Sequence, residues 1–330
     1  MTDPSSKGAI DRLVGAGRLR PLELLPWAVA VGAYFLFDSY LALGSQILIM
    51  VLFALSLDLI VGYAGIVTLG HAAFFGVGAY AAGILARHGG WSEPISGLLI
   101  SGAVAGAVGL ASGFIVLRTT GLTLLMLTMA TGAMLFELAN KAGGITGGAD
   151  GLQGIAIDPV LGLFRFDLWG RTTYLYSLAV VFLCWLFARR LVHSPFGRSL
   201  VGIRENVQRM HAIGSPVFRR MLTIYGISAT MAGIAGALLT QTTQFAALKV
   251  LSFEMSGEIL VMLILGGVGR LYGAFLGVPG FMIAQDAIAK TDPYNWFFWI
   301  GLMLVLVVLF VRGGILGICD TIIARIRRRP

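Results

Sequence analysis

Most of this chain consists of apolar stretches about as long as a bilayer is thick, and short polar turns separate them. A helix needs about 20 apolar residues to cross roughly 30 Å of hydrocarbon. Ten stretches come close to that length: 25 to 43, 45 to 63, 68 to 86, 95 to 117, 121 to 140, 172 to 191, 221 to 241, 252 to 269, 271 to 289 and 295 to 312. We therefore predict an all-α integral membrane protein with about ten transmembrane helices.

The amino-acid composition agrees with this fold class. Hydrophobic residues make up 57% of the chain and charged residues only 12%, whereas soluble domains carry roughly a quarter charged residues. The 45 glycines suit close helix packing and broken helices inside a bilayer. A transmembrane barrel would require strands that alternate apolar and polar residues, and the long apolar runs argue against it.

The distribution of basic residues predicts an orientation. With the N-terminus in the cytosol, 18 of the 24 Lys and Arg residues fall on the cytosolic side, as the positive-inside rule expects. The chain then divides into a cytosolic N-terminal segment (1–24), a transmembrane domain (25–312) with a cytosolic loop at 192–220, and a basic cytosolic tail (313–330). Both termini are cytosolic in this arrangement.

Several function classes find no support. The net charge of +8 is spread around the apolar spans and does not form a soluble basic face, so we expect no nucleic-acid partner. Cys184 and Cys319 form neither a disulfide framework nor a spaced metal set, and we expect no cofactor and no metal. The chain has no G-x-x-x-x-G-K-[ST] phosphate loop and no evident catalytic constellation. The N-terminus has no apolar core of signal-peptide length.

Two glycine-rich segments do not read as simple helices. They are LIVGYAGIVTLGHAAFFGVGAY at 59–80 and LILGGVGRLYGAFLGVPG at 263–280. Irregular backbone at membrane depth is tolerated only where it is buried in protein or lines a watery cavity. Both breaks are therefore candidates for a transport path, and the residues that we select from them are Gly65, Thr68, Gly70, His71, Gly266, Gly267 and Gly269.

Ionisable residues within the spans are few. Asp38, Asp58 and Glu137 lie near predicted span ends, which favours interfacial solvation or a structural hydrogen bond. Asp286 is a fourth acid within a span, and Glu254 and Glu258 lie near the outer start of the eighth span. The lone His71 favours packing over proton transfer, because a neutral imidazole can hydrogen-bond across a helix interface.

The run from Arg189 to Arg220 holds seven arginines and one acid, Glu205. Within it, Ser194-Pro195 is typical of a helix start, and Gly214 is a stop. Apolar side chains recur at helical spacing between these signals, at Phe196, Leu200, Ile203, Val207 and Met210. We predict one short amphipathic helix over Ser194 to Gly214. It either lies in anionic headgroups or docks on another protein.

Five motifs together carry a resemblance. They are GYAGIVTLGHAAFFGVGAYAAG, ITGGADGLQGI, SPFGRSLVGIREN, LVMLILGGVGRLYGAFLG and LFVRGGILGI, which occur in order between about 45 and 318. The chain resembles the permease subunits of branched-chain amino acid ABC transporters, the LivM type. The resemblance implies the ten-helix ABC importer permease fold in a bacterial inner (cytoplasmic) membrane.

The resemblance also implies partners. These are a second homologous permease subunit, two cytosolic ATPase subunits, a periplasmic substrate-binding protein and membrane lipid. The central loop would dock the ATPase, and the residues that match the family there are Gly197, Arg198, Arg204, Glu205, Asn206 and Gly214. The chain departs from the EAA-x-x-x-G loop of many ABC importers, because Asn206 and Val207 follow Glu205.

Alternatives stay open at this point. Relatives of the same family move urea, short amides or other small solutes. A self-sufficient secondary transporter or channel is a second class of function, and it predicts flux through this chain without ATP or partners. The missing phosphate loop favours a transport subunit that is driven by separate ATPase subunits and is not itself an enzyme.

Overall fold

A computed structural model describes residues 24–36, 40–160, 162, 164, 170–292, 294, 295, 298–302, 305, 314 and 317. The helices are α1 (Leu25–Leu36), α2 (Leu41–Asp58), α3 (Ala72–Arg87), α4 (Pro94–Val116), α5 (Leu122–Lys141), α6 (Gly143–Thr146), α7 (Arg171–His193), α8 (Pro195–Glu205), α9 (Val207–Ala212), α10 (Val217–Thr243), α11 (Phe253–Gly266) and α12 (Gly273–Thr291). A π-helical turn, Leu59–Tyr63, continues α2. Short 3₁₀ turns lie at Gly148–Asp150 and Leu248–Leu251.

The helical, membrane-spanning class is confirmed in the part of the chain that the structure describes. Five helices there are long and apolar enough to cross a membrane: α2 with its π-helical turn, α4, α5, α7 and α10. Helices α1 and α3 are apolar but shorter. Nearly all of 1–24, most of the span predicted at 295–312 and nearly all of the tail at 313–330 lie outside the described residues.

Two predicted span boundaries are wrong for a local reason. The first span was expected to continue to residue 43, but the next helix already begins at Leu41. The third was expected from residue 68, but α3 begins only at Ala72. At the second of these junctions the apolar sequence continues through 64–71, so the apolar pattern alone does not mark where α3 begins.

The core of the bundle is formed by α2, α3, α4 and α10, and α10 packs against the other three. Small residues allow this contact. A side chain at Gly236 of α10 would collide with the Phe75 carbonyl oxygen of α3, and one at Gly78 would collide with the Gly233 carbonyl oxygen. Helices in lipid associate through such close packing, because lipid is as apolar as the side chains and burial gives little driving force.

Helix α5 lies at the edge of this core. Only 17% of its most apolar window is buried, compared with 78% for α2 and its π-helical turn. Its exposed side chains are large and apolar, among them Leu122, Met126, Met134 and Leu138. In the described structure this face is therefore left for lipid or for another protein.

Candidate functional site

The first glycine-rich break turns the chain back into the bundle. After the π-helical turn, Gly65 adopts a φ of +73°, and residues 64–71 run back along α2. The Nε2 atom of His71 comes to lie 2.9 Å from the Ser56 hydroxyl, and its ring stacks on Phe53. Helix α3 therefore begins inside the bundle, beside the last two turns of α2.

A second segment returns into the bundle from the opposite end. Thr240, in the last turn of α10, lies next to Gly83 of α3. Leu251, which follows, packs on Gly76, and this position is about 10 Å further along α3. Ser252 then caps α11 by accepting a hydrogen bond from the Met255 amide at 3.2 Å. Helix α11 thus also begins within the bundle.

The two helix starts meet. The Ala72 amide at the beginning of α3 donates a hydrogen bond to the Ser256 hydroxyl in the first turn of α11, at 3.0 Å. The N-terminal end of a helix carries partial positive charge from its unpaired amides. The N-terminal ends of α3 and α11 therefore lie side by side. In transporters, the N-termini of broken helices point in this way at anionic groups of the substrate.

A cavity of about 640 Å³ adjoins these helix starts. One wall is α5, with Met129, Ala133 and Phe136, and the backbone of Gly70 lies on the α3 side. Lys249 and Glu254 are the two charged residues of its lining, and Ser252 and Ser256 add hydroxyl groups. The lining is therefore mainly apolar, with one cationic and one anionic side chain.

The predicted path residues separate into three groups. Gly70 lines the cavity, while Thr68 and His71 are buried behind it at 0% and 1% exposure. The Thr68 hydroxyl accepts a hydrogen bond from the Gly70 amide at 3.2 Å, so it shapes the turn. The third group lies away from the cavity, at the end of the bundle that carries α8, and consists of Gly65, Gly266, Gly267 and Gly269.

Sequence reasoning noted Glu254 as an acid near the start of a span, but it selected neither Lys249 nor Glu254 as a path residue. The signal that could have pointed to them is the serine cap at Ser252, which marks a helix start between the two charges. A helix start there brings both side chains to the cavity.

Three of the acids within the predicted spans have structural partners. Asp58 is fully buried, and its Oδ1 accepts a hydrogen bond from the Gly269 amide at 2.6 Å, which is the structural role that was expected. Glu137 pairs with Lys141 at 3.4 Å, and Asp286 pairs with Lys290 at 2.6 Å. Asp38 lies outside the described residues.

The prediction of a single helix over Ser194 to Gly214 is wrong. The start is as predicted, since the Ser194 hydroxyl accepts a hydrogen bond from the Gly197 amide at 3.2 Å and Pro195 opens α8. Asn206, however, adopts an extended conformation, and its side chain caps α9 by accepting from the Arg209 amide at 2.8 Å. The apolar stripe ends there, because Leu200 and Ile203 are buried whereas Val207 is 45% exposed.

The six family-matched residues of this loop have different surroundings. Gly197 is buried against the Leu191 and Val192 carbonyl groups. Four others are exposed on α8, on α9 or at their ends, namely Arg198, Glu205, Asn206 and Gly214. Arg204 is also on the surface, but its guanidinium donates a hydrogen bond to the Gly62 carbonyl oxygen in the π-helical turn.

Comparison with known proteins shows similarity along most of the chain. The profile of a family described as branched-chain amino acid transport system, permease component, matches residues 39–310. No solved structure gives a significant match.

Three curated relatives are permease proteins called LivM. The high-affinity branched-chain amino acid transport system permease protein LivM of Salmonella typhimurium is 26% identical over 324 residues, which cover 91% of this chain and 75% of the relative. The Escherichia coli protein of the same name is 28% identical over 79% of this chain and 66% of its own length. A probable LivM of Methanocaldococcus jannaschii is 29% identical over 70% of this chain and 76% of its own length.

Proposed function

Because this chain belongs to the family of permease components of branched-chain amino acid transport systems, we propose that it is the membrane-spanning subunit of an ATP-driven importer of branched-chain amino acids. The family match over residues 39–310 carries this proposal. The LivM names of the relatives support the substrate class. Urea or a short amide is the alternative substrate within the same class of protein.

The importer that we propose contains a second homologous permease, two cytosolic ATPase subunits and a periplasmic binding protein. The chain lies in a bacterial inner membrane with ten spans and both termini in the cytosol. The excess of basic residues on that side, 18 of 24, supports the orientation. The exposed apolar face of α5 supports a second permease packed beside the cavity.

We place the transport path at the cavity between α5 and the two helix starts. The α5 wall accepts an aliphatic side chain. Lys249, together with the positive ends of α3 and α11, attracts a carboxylate, and Glu254 attracts an ammonium group. A zwitterion with an apolar side chain therefore suits this lining better than urea, which has neither charge nor apolar surface.

We place the ATPase contact on α8 and α9. These helices follow the long apolar helix α7, and their exposed charges include Arg198, Glu205 and Arg209. Helix α9 buries none of its residues. A surface helix of this kind, with little packing of its own, suits a contact that is completed by a partner.

Uptake in cells tests the proposal. In a strain that lacks its own branched-chain amino acid importer, the chain expressed with its three kinds of partner should support uptake of labelled leucine and not of labelled urea. An Arg198→Glu/Arg209→Glu double variant should lose the ATPase subunits during purification. Arg118→Glu is the matched control, because Arg118 is exposed but lies outside α8 and α9, over the Phe114 ring.

Two results would contradict the proposal. Leucine flux into vesicles that hold this chain alone, without ATP, would instead support a secondary transporter or channel. Retention of the ATPase subunits by the double variant, at the level of the control, would place the ATPase contact elsewhere.

A further inference from the structure

The two glycine-rich breaks touch each other at the end of the bundle that carries α8. Gly62 lies so close to Gly269 that a side chain at Gly62 would come within 2.6 Å of the Gly269 amide nitrogen. The buried Asp58 joins the same two segments through its hydrogen bond to that amide, at 2.6 Å. Two stretches about two hundred residues apart thus behave as one packed unit at this end.

Arg204 connects α8 to this unit. Its guanidinium donates a hydrogen bond to the Gly62 carbonyl oxygen. The start of its side chain lies over Gly65, where an added Cβ would come within 2.8 Å of the Arg204 Cγ. Its Nη1 would lie 3.2 Å from a Cβ at Gly269.

The glycines leave the space that Arg204 occupies. Gly65 has a φ of +73° and Gly269 a φ of +78°, conformations that L side chains rarely adopt. Side chains at either position would also meet the arginine. The backbone geometry of both breaks and the position of Arg204 are therefore mutually dependent.

Both breaks lead from this contact towards the cavity. Residues 64–71 connect the π-helical turn to the start of α3, and the contacts at Gly269 adjoin the end of α11, whose start lies beside that of α3. A π-helical turn is a local irregularity that is frequent at functional sites. A displacement of Arg204 would act on both segments at once.

We propose that Arg204 is a positioning residue that transmits movement of α8 to both glycine-rich breaks, and so to the helix starts at the cavity, instead of contacting the ATPase itself. This inference rests on the proposed function, since it requires ATPase subunits that move α8. Asp58 holds the second break to the first within the same unit. Its Oδ2 has no hydrogen-bond partner among the described residues, so it offers an acceptor to a guanidinium that has shifted.

The test compares Arg204→Ala and Arg204→Lys in the assembled importer with its binding protein. The ATPase subunits should copurify with both variants as with the unaltered chain. The number of leucine molecules transported per ATP hydrolysed should fall at least about tenfold for Arg204→Ala. Arg204→Lys should recover part of this ratio, because lysine keeps the charge but not the planar set of donors.

Amide hydrogen exchange provides a measurement that does not depend on transport. Arg204→Lys should raise the exchange rate in 62–70 and 266–272 about tenfold or more, while exchange in α9 is unchanged. Asp58→Asn keeps an acceptor for the Gly269 amide but replaces the Oδ2 acceptor by an NH₂ donor, so it should also lower the leucine-to-ATP ratio. Combined with Arg204→Ala, it should lower the ratio by less than the product of the two single effects.

Three results would overturn the inference. Loss of the ATPase subunits from Arg204→Ala would make Arg204 a docking residue, and an unchanged leucine-to-ATP ratio would remove its role. If Arg204→Ala does not accumulate in the membrane, the test is made with Arg204→Lys alone. An unchanged rate of amide hydrogen exchange in 62–70 and 266–272 of that variant would then overturn the inference. If the unaltered chain itself binds no ATPase subunits, the proposed function fails instead.

Discussion

Ser56 and His71 are hydrogen bonded to each other in the core, with 2.9 Å between Oγ and Nε2. The Ser56 hydroxyl donates its own proton to the Phe53 carbonyl oxygen at 2.6 Å. The network therefore assigns the imidazole proton to Nε2, which donates to Ser56. His71 is 1% exposed and stacks on Phe53. These contacts give it the packing role that was expected from the sequence, in which it fixes the returning segment to α2.

Replacement of His71 tests this role. His71→Ala should lower the free energy of unfolding by on the order of 3 kcal/mol, because it leaves a cavity in the core and removes a partner of Ser56. The thermal unfolding midpoint in detergent measures this loss. His88→Ala, at an exposed position after α3, should leave the midpoint unchanged. Equal midpoints for the two variants would contradict the packing role.

The contact between α3 and α10 makes a second prediction. Gly236→Ala should destabilise the protein by about 1–3 kcal/mol or more, because the added methyl group meets the Phe75 carbonyl group of the opposing backbone, which cannot turn away. Gly257→Ala is the matched control in α11, since nothing lies within 4 Å of the added Cβ there. Thermal unfolding of both variants checks this. A stable Gly236→Ala variant would mean that the two helices are further apart.

The hydrophobic pattern predicts which parts of the chain are helical, since burial in lipid requires long apolar runs. It does not predict the break at Asn206, because the apolar steps continue from Ile203 to Val207 and Met210 across it. At Asn206, continuation of α8 competes with the start of a new helix. The Asn206 side chain caps α9, and asparagine favours caps over helix interiors.

The direction in which the Arg204 side chain points could not be predicted from local sequence either. Its position on a polar helix face indicates an exposed docking residue, and its α8 neighbours Arg198 and Glu205 are indeed exposed. The space that it enters is created by Gly65 and Gly269, which lie far from it in the sequence. Contacts of this kind depend on the tertiary fold. The glycine pattern predicted irregular backbone, but not what would occupy the space.

A substitution in α5 tests the transport path. Ala133→Phe should reduce leucine uptake about tenfold or more, because the ring enters the cavity that Ala133 lines. Ala111→Phe is the matched control, since Ala111 is exposed on α4 and is not part of the cavity lining. Uptake is measured at equal amounts of assembled importer. An effect of Ala133→Phe no larger than that of Ala111→Phe would place the path elsewhere.

The Asn206 cap makes the last prediction. Helix α9 buries none of its residues, so packing does little to hold it and the cap contributes a large share of its stability. Asn206→Ala removes the acceptor for the Arg209 amide and should destabilise α9 by about 1 kcal/mol, while Asn206→Asp keeps an acceptor and adds a charge that favours a helix N-terminus. The alanine variant should therefore bind the ATPase subunits about fivefold more weakly, which is the effect of 1 kcal/mol on a binding constant, and the aspartate variant should bind them about as well as the unaltered chain. Titration of the ATPase subunits onto each variant in detergent measures this difference, and equal affinities would mean that α9 is not part of the ATPase contact.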